Sequence, residues 1–176
     1  MEAKLKDSFS RRTVGLGVLF RETYSLIRDR NHIKRAMRNE RFTDSFRERL
    51  MLAVTAVNQC RYCSYAHSKT ALTTGLSGEE VSELCGGVYS SCPPEQVPAL
   101  LYAEHWAESN GNPSEEARNK VLELFGETLL ADIEVVLRMI SMGNMLGNTW
   151  DYFLYRISFG RWGNCETAPT ASQSDY

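Results

Sequence analysis

Apolar and polar residues recur along this chain with the period of an α-helix, and no stretch alternates strictly as a half-buried strand would. From Val14 to about Asn39, the residues Leu16, Leu19, Phe20, Tyr24, Ile27, Ile33 and Met37 fall at roughly helical spacing with arginines between them. Asn31 is a candidate break that would make two helices of this stretch. Thr43 or Asp44 is suited to cap the next helix, which would run through Phe46, Leu50, Met51, Val54 and Val57 to about Asn58. Cys60 to Thr74 reads as a further helix, with Gly75 where a left-handed C-cap is wanted. Ser77-Gly78-Glu79-Glu80 has the form of a capping box opening a short helix through Val81, Leu84 and Cys85.

The second half continues the pattern. Gly86-Gly87 and Pro93-Pro94 bracket a connection that contains Cys92, and a helix from Glu95 to about Ser109 follows, with Leu100, Leu101, Ala103, Trp106 and Ala107 as expected core positions. Asn110-Gly111-Asn112-Pro113 is a turn. Ser114-Glu115-Glu116 opens a helix ending near Phe125-Gly126, and Leu129 to about Met145 forms a long apolar helix that Gly147 kinks or separates from Trp150 to Ile157. The expectation is an all-α fold, one helical domain over residues 1–162, with 1–13 as a frayed or partner-dependent start. The Ser/Thr/Pro-rich residues 163–176, which include Cys165, read as a disordered tail.

Composition narrows the function classes. The 176 residues are 43% hydrophobic, enough for a core, and 20 basic against 22 acidic side chains leave a net charge of −2. Such a balance makes no electrostatic case for nucleic acid or an anionic membrane surface. The basic residues between Arg21 and Arg49 read as a solvated helix face. No apolar run approaches the ~20 residues of a membrane span. Ser10-Arg11-Arg12 precedes an apolar run, but Arg21 and Glu22 close it too early for an export signal, so a cytoplasmic location is expected.

Five cysteines, an odd number, do not look like a disulfide framework, and a close pair in a reducing compartment suggests redox or metal chemistry. That pair is Cys60 and Cys63, followed by His67 and preceded by Glu48. At ~100° per residue, Cys60, Cys63 and His67 share an arc of about 60° on one helix face. The first turn of a helix favours anions and so the reactive thiolate, and His67 lies one turn from Cys63, positioned to relay its proton. Spacing permits Glu48 in the site without requiring it, because its adjacency depends on how two helices cross.

Competing readings remain at this level. Cys60, Cys63 and His67 could bind zinc with Cys85 or Cys92 as a fourth ligand, in a non-enzymatic helical oligomer that holds metal or senses oxidants. The cysteines could also be buried small hydrophobes. A covalent haem is excluded, since Ser64 rather than histidine follows Cys63. His32 and His105 read as structural, and Trp106, Trp150 and Trp162 as core or subunit-interface aromatics.

The pattern Glu48-x11-Cys60-Arg61-Tyr62-Cys63-x3-His67, followed by Gly75 and the Ser77-Gly78-Glu79-Glu80 helix start, resembles the alkylhydroperoxidase D-like proteins of the carboxymuconolactone decarboxylase superfamily. The similarity is densest from Arg47 to Glu83, within a redox core of about 42–90, and continues weakly into Leu122 to Asn148. The resemblance implies a compact helical bundle and a thiol-dependent peroxidase or disulfide oxidoreductase that needs no cofactor and no metal. Cys63 would be the deeper thiol that attacks a hydroperoxide, deprotonated through His67 and Glu48. Cys60 would be the more accessible partner that resolves the sulfenic acid and then meets a dithiol or a thioredoxin- or lipoyl-type protein reductant. Tyr62 stands where some members carry a relay histidine, which leaves a general disulfide-reductase role open. Members are commonly homo-oligomers (trimers, hexamers or dimers). The decarboxylase that names the superfamily generally lacks the cysteine pair, so lactone decarboxylation is not expected.

Overall fold

A computed structural model describes residues 9–163, and among these the chain forms seven α-helices and no strand. They are α1 (Leu16–Arg28), α2 (Arg30–Ala36), α3 (Asp44–Asn58), α4 (Arg61–Thr73), α5 (Gly78–Cys85), α6 (Val97–Glu108) and α7 (Glu115–Ile157). The all-α expectation holds. The caps are those the sequence offered: the Thr43, Ser77 and Ser114 side chains accept hydrogen bonds from the backbone N–H of Phe46, Glu80 and Ala117. The break in the first helical stretch falls at Asp29, two residues before Asn31.

Helix α3 is the hub, packed by α4, α5, α6 and α7. Every residue from Phe46 to Thr55 is buried, including Arg47, Glu48 and Arg49. A charge can be buried only when it is paired, and each of these is. Arg47 bonds the Phe42 carbonyl and pairs with Asp44, Glu48 meets His67, and Arg49 meets Glu80 at 2.6 Å and the Gln96 side chain at 3.1 Å. The basic run is therefore not one solvated face. Arg21, Arg28 and Arg35 are exposed, but Arg47 and Arg49 stand inside the bundle because α3 is enclosed on all sides.

One expectation about packing is overturned. Leu101 is half exposed, and the core face of α6 is Ala99, Leu100, Tyr102, Ala103, Trp106 and Ala107. On α1, Phe20, Tyr24 and Ile27 share a face that points to solvent, at 73%, 69% and 60% exposure. The helical period is present there, but no element among the described residues covers it.

Helix α7 is bent where Gly126 takes φ +79°, ψ 164°, a conformation L side chains resist. Beyond it the helix passes through Gly147 without interruption, so Gly147 neither kinks nor divides it. Residues 9–13 are not frayed. Arg11 is buried and pairs with Asp151 at 2.7 Å, Phe9 packs edge-on against Tyr152, and Arg12 bonds the Ala107 and Glu108 carbonyls. Gly163 is buried and its carbonyl accepts a hydrogen bond from Arg11, whereas residues 1–8, 164–176 and with them Cys165 lie outside the described residues.

Candidate active site at the α3–α4 junction

Two residues join α3 to α4, and their backbone makes the site. Gln59 takes a left-handed conformation (φ 55°) that ends α3 and reverses the chain. Cys60 is then extended and is the N-cap of α4, not a member of its first turn. Its Sγ accepts the Cys63 backbone N–H at 3.4 Å, as a serine cap would. Helical rotation is thus the reason Cys63 and His67 share a face. Cys60 joins them through the reach of a cap side chain to the third helical position.

The two sulfurs stand 2.7 Å apart as free thiols, with Cys60 donating to Cys63. That bond is the largest influence lowering the Cys63 thiol to about 6, against burial, which pushes it up; the Asn144 side chain and the charge of His67 also lower it. Cys60 moves the other way, raised by donating to Cys63 and by its own burial. The pair is therefore asymmetric, with the thiolate at Cys63 and the proton on Cys60.

Antiparallel packing of α3 and α4 brings Glu48 to the site. Its Oε2 lies 2.8 Å from Nδ1 of His67, both side chains being largely withdrawn from solvent. All four residues singled out in the sequence thus meet at one place. Their relative depth is the reverse of expectation. Cys60 is fully buried and Cys63 half-buried, because the cap position tucks Cys60 beneath its own helix and against α7.

Several residues of the site come from α7 and carried no clear signal in the sequence. Gly147 lies so close that a Cβ there would stand 2.6 Å from the Cys60 sulfur. Asn144, fully buried, donates to Thr55 Oγ1 at 3.1 Å and accepts from the Asn58 side chain at 3.2 Å, while Asn148 donates to the Asn58 carbonyl at 2.8 Å. Asp151, also fully buried, receives Arg61 at 2.7 Å, the Tyr62 hydroxyl at 2.8 Å and Arg11. It anchors both residues between the cysteines. Polar residues at helical spacing on an otherwise apolar helix were the available signal.

The other sequence candidates lie elsewhere. His32 meets the buried Asp132 at 3.0 Å, and His105 accepts the Ser114 backbone N–H at 3.1 Å, so both histidines tie elements together. Cys85 is exposed beside Ser64 and Ser68, whereas Cys92 is buried, with its thiol pushed up to about 11 by burial and by Glu80. Both are free thiols. Among the described residues, no group of three or more His, Cys, Asp or Glu side chains could hold a metal ion, so the zinc reading finds no ligand set. No helix of the described residues is long and apolar enough to cross a membrane.

No curated protein and no solved structure matched the chain. A family model did, over residues 27–109, a span that runs from the end of α1 past α6 and holds Glu48, Cys60, Cys63 and His67. The model that this helical segment matches is that of the carboxymuconolactone decarboxylase family.

Proposed function

We propose that the protein is a thiol-dependent peroxidase or disulfide oxidoreductase. The observation that carries the reading is the asymmetric thiol pair, in which a protonated Cys60 holds Cys63 as a thiolate near neutral pH. The Cys63 thiolate would attack the distal oxygen of a hydroperoxide. The O–O bond breaks, the alkoxide leaves as an alcohol after taking a proton from His67, and Cys63 becomes a sulfenic acid. Cys60 then attacks that sulfur, its proton leaves with the hydroxyl as water, and the Cys60–Cys63 disulfide forms. The protein's part is to supply a thiolate at the pH of the reaction and a neighbouring thiol ready to close the bond.

A dithiol or a thioredoxin- or lipoyl-type protein reductant would return the disulfide to two thiols. Burial of Cys60 makes Cys63 the sulfur open to an incoming thiolate, which moves the exchange point from the one the resemblance implied. The Tyr62 hydroxyl is engaged by Asp151, so it is held away from a proton-relay role at this position. Exposed stripes on α1 (Phe20, Tyr24, Ile27) and on the end of α7 (Leu146, Trp150, Phe153, Ile157) support a homo-oligomer that covers them.

The test is turnover of an organic hydroperoxide with a dithiol donor. Cys63→Ser and Cys60→Ser should each lower it by at least about 100-fold, and hydroperoxide should consume two thiols per chain. Wild-type turnover in both variants would end the proposal.

A further inference from the structure

Behind the site lies a cleft of about 700 Å³ that the thiol chemistry does not use. One wall is α1, and the other is formed by the end of α6, the turn after it and the middle of α7. The volume is that of a small-molecule site. Its lining divides into three kinds of chemistry. Val18, Met142 and Met145 supply an apolar surface. Arg12, Arg21, Arg28 and Arg138 bring four guanidinium groups, while Glu22 is the one carboxylate of the lining. Asp29, just outside, takes Arg138 at 2.9 Å and Arg28 at 3.6 Å, so cationic charge remains in excess. Arg12 is spent on the neutral carbonyls of Ala107 and Glu108, and among the described residues no carboxylate pairs with it.

The third kind is the most telling. Trp106 and Ser141 both line the cleft, and each holds a buried polar atom, Nε1 and Oγ respectively, with no hydrogen-bond partner among the described residues. Trp106 is itself 7% exposed. A buried donor left unpaired is destabilising, and in most proteins such groups have found partners. Two in one cleft, facing a surplus of arginines, are what a ligand with oxygen acceptors and negative charge would satisfy.

We propose that this cleft binds a small amphipathic carboxylate, with its apolar body against Val18, Met142 and Met145 and its carboxylate among the arginines and the Trp106 and Ser141 donors. Guanidinium groups match a carboxylate in charge and in planar geometry. The cleft also touches the thiol site. Asn58 lines it, and the Asn58 side chain bonds Asn144, the residue that helps lower Cys63. Binding at the cleft does not depend on the redox reading of the cysteines.

Octanoate is a suitable probe, followed through the indole N–H resonance of Trp106 in the full chain. The expected result is a saturable shift of that resonance with octanoate, with octylammonium at least about 10-fold weaker. Arg21→Met and Ser141→Ala should each weaken octanoate about 3-fold or more, with the other two indole resonances unmoved. Among the described residues the exposed Arg21 bonds its neighbour Glu22 alone and Ser141 Oγ has no partner, so both variants should keep the fold. An unmoved Trp106 resonance, equal binding of octylammonium, or unchanged affinity in both variants would overturn the proposal. A cleft filled instead by a second copy of the chain gives the first of these results.

Discussion

Helix α3 encloses Arg47, Glu48 and Arg49 within the bundle, whereas α1 turns Phe20, Tyr24 and Ile27 outward. Their sequences suggest the opposite, since α1 has the cleaner apolar stripe and α3 the denser charge. Burial in this protein follows position in the bundle more than the character of the residues. A central helix meets neighbours all round, so its charged residues need partners and find them on α4, on α5, at the N-cap of α6 and at the start of α3 itself. A peripheral helix contacts the bundle on one side, and its second apolar face stays open until another surface covers it.

The sharpest way to break that contrast is to remove a buried charge partner from α3. Arg49→Met leaves Glu80 buried without its cation and should lower unfolding stability by roughly 3–5 kcal/mol in a denaturant titration. A loss below about 1 kcal/mol would mean that α3 does not rely on its pairs as described. Next in size is Gly147→Ala. The added Cβ would collide with the Cys60 sulfur, so stability should fall by about 1–3 kcal/mol and Cys63 reactivity should change with it. An unaltered alkylation profile would show that α7 does not press on the thiols.

The pH dependence of Cys63 alkylation sharpens the electrostatic side. The reactive thiolate gains population as pH rises, so the rate should climb through a midpoint near about 6 and level off above it. Cys60→Ala removes the largest stabilising hydrogen bond and should move the midpoint upward furthest. Asn144→Ala and His67→Ala should follow with smaller upward moves. A downward move in any of the three would contradict the assigned causes. Linkage has the same sign: a thiol whose folded value is depressed adds stability above its unfolded value, and that stability is lost as pH falls through about 6.

The smallest effect belongs to α1. Tyr24→Ser should change the stability of a single chain by no more than about 0.5 kcal/mol, because the ring packs on little. The same change should lower association measured by sedimentation if the stripe is a subunit contact. A large destabilisation without loss of association would show that α1 is held by its own chain.

The helices, their caps and the grouping of Cys63 with His67 were legible in the sequence because each depends on residues a few positions apart. Thr43, Ser77, Ser114 and Gly75 act on backbone groups within one turn, so local reading is sufficient. Glu48 stood at the limit of such reading, permitted by spacing and brought in by the crossing of α3 and α4. Gly147, Asn144 and Asp151 were beyond it, since each meets the site from about ninety residues away along the chain.

What the sequence determined by itself was an all-α chain carrying a Cys-x-x-Cys pair with a histidine one turn beyond. Tertiary packing decided which thiol is buried and which carries the negative charge. Capping puts Cys60 underneath, where α7 closes on it and its proton is directed at Cys63. Depth and ionisation are set by everything that surrounds an atom, and most of those surroundings arrive from distant parts of the chain.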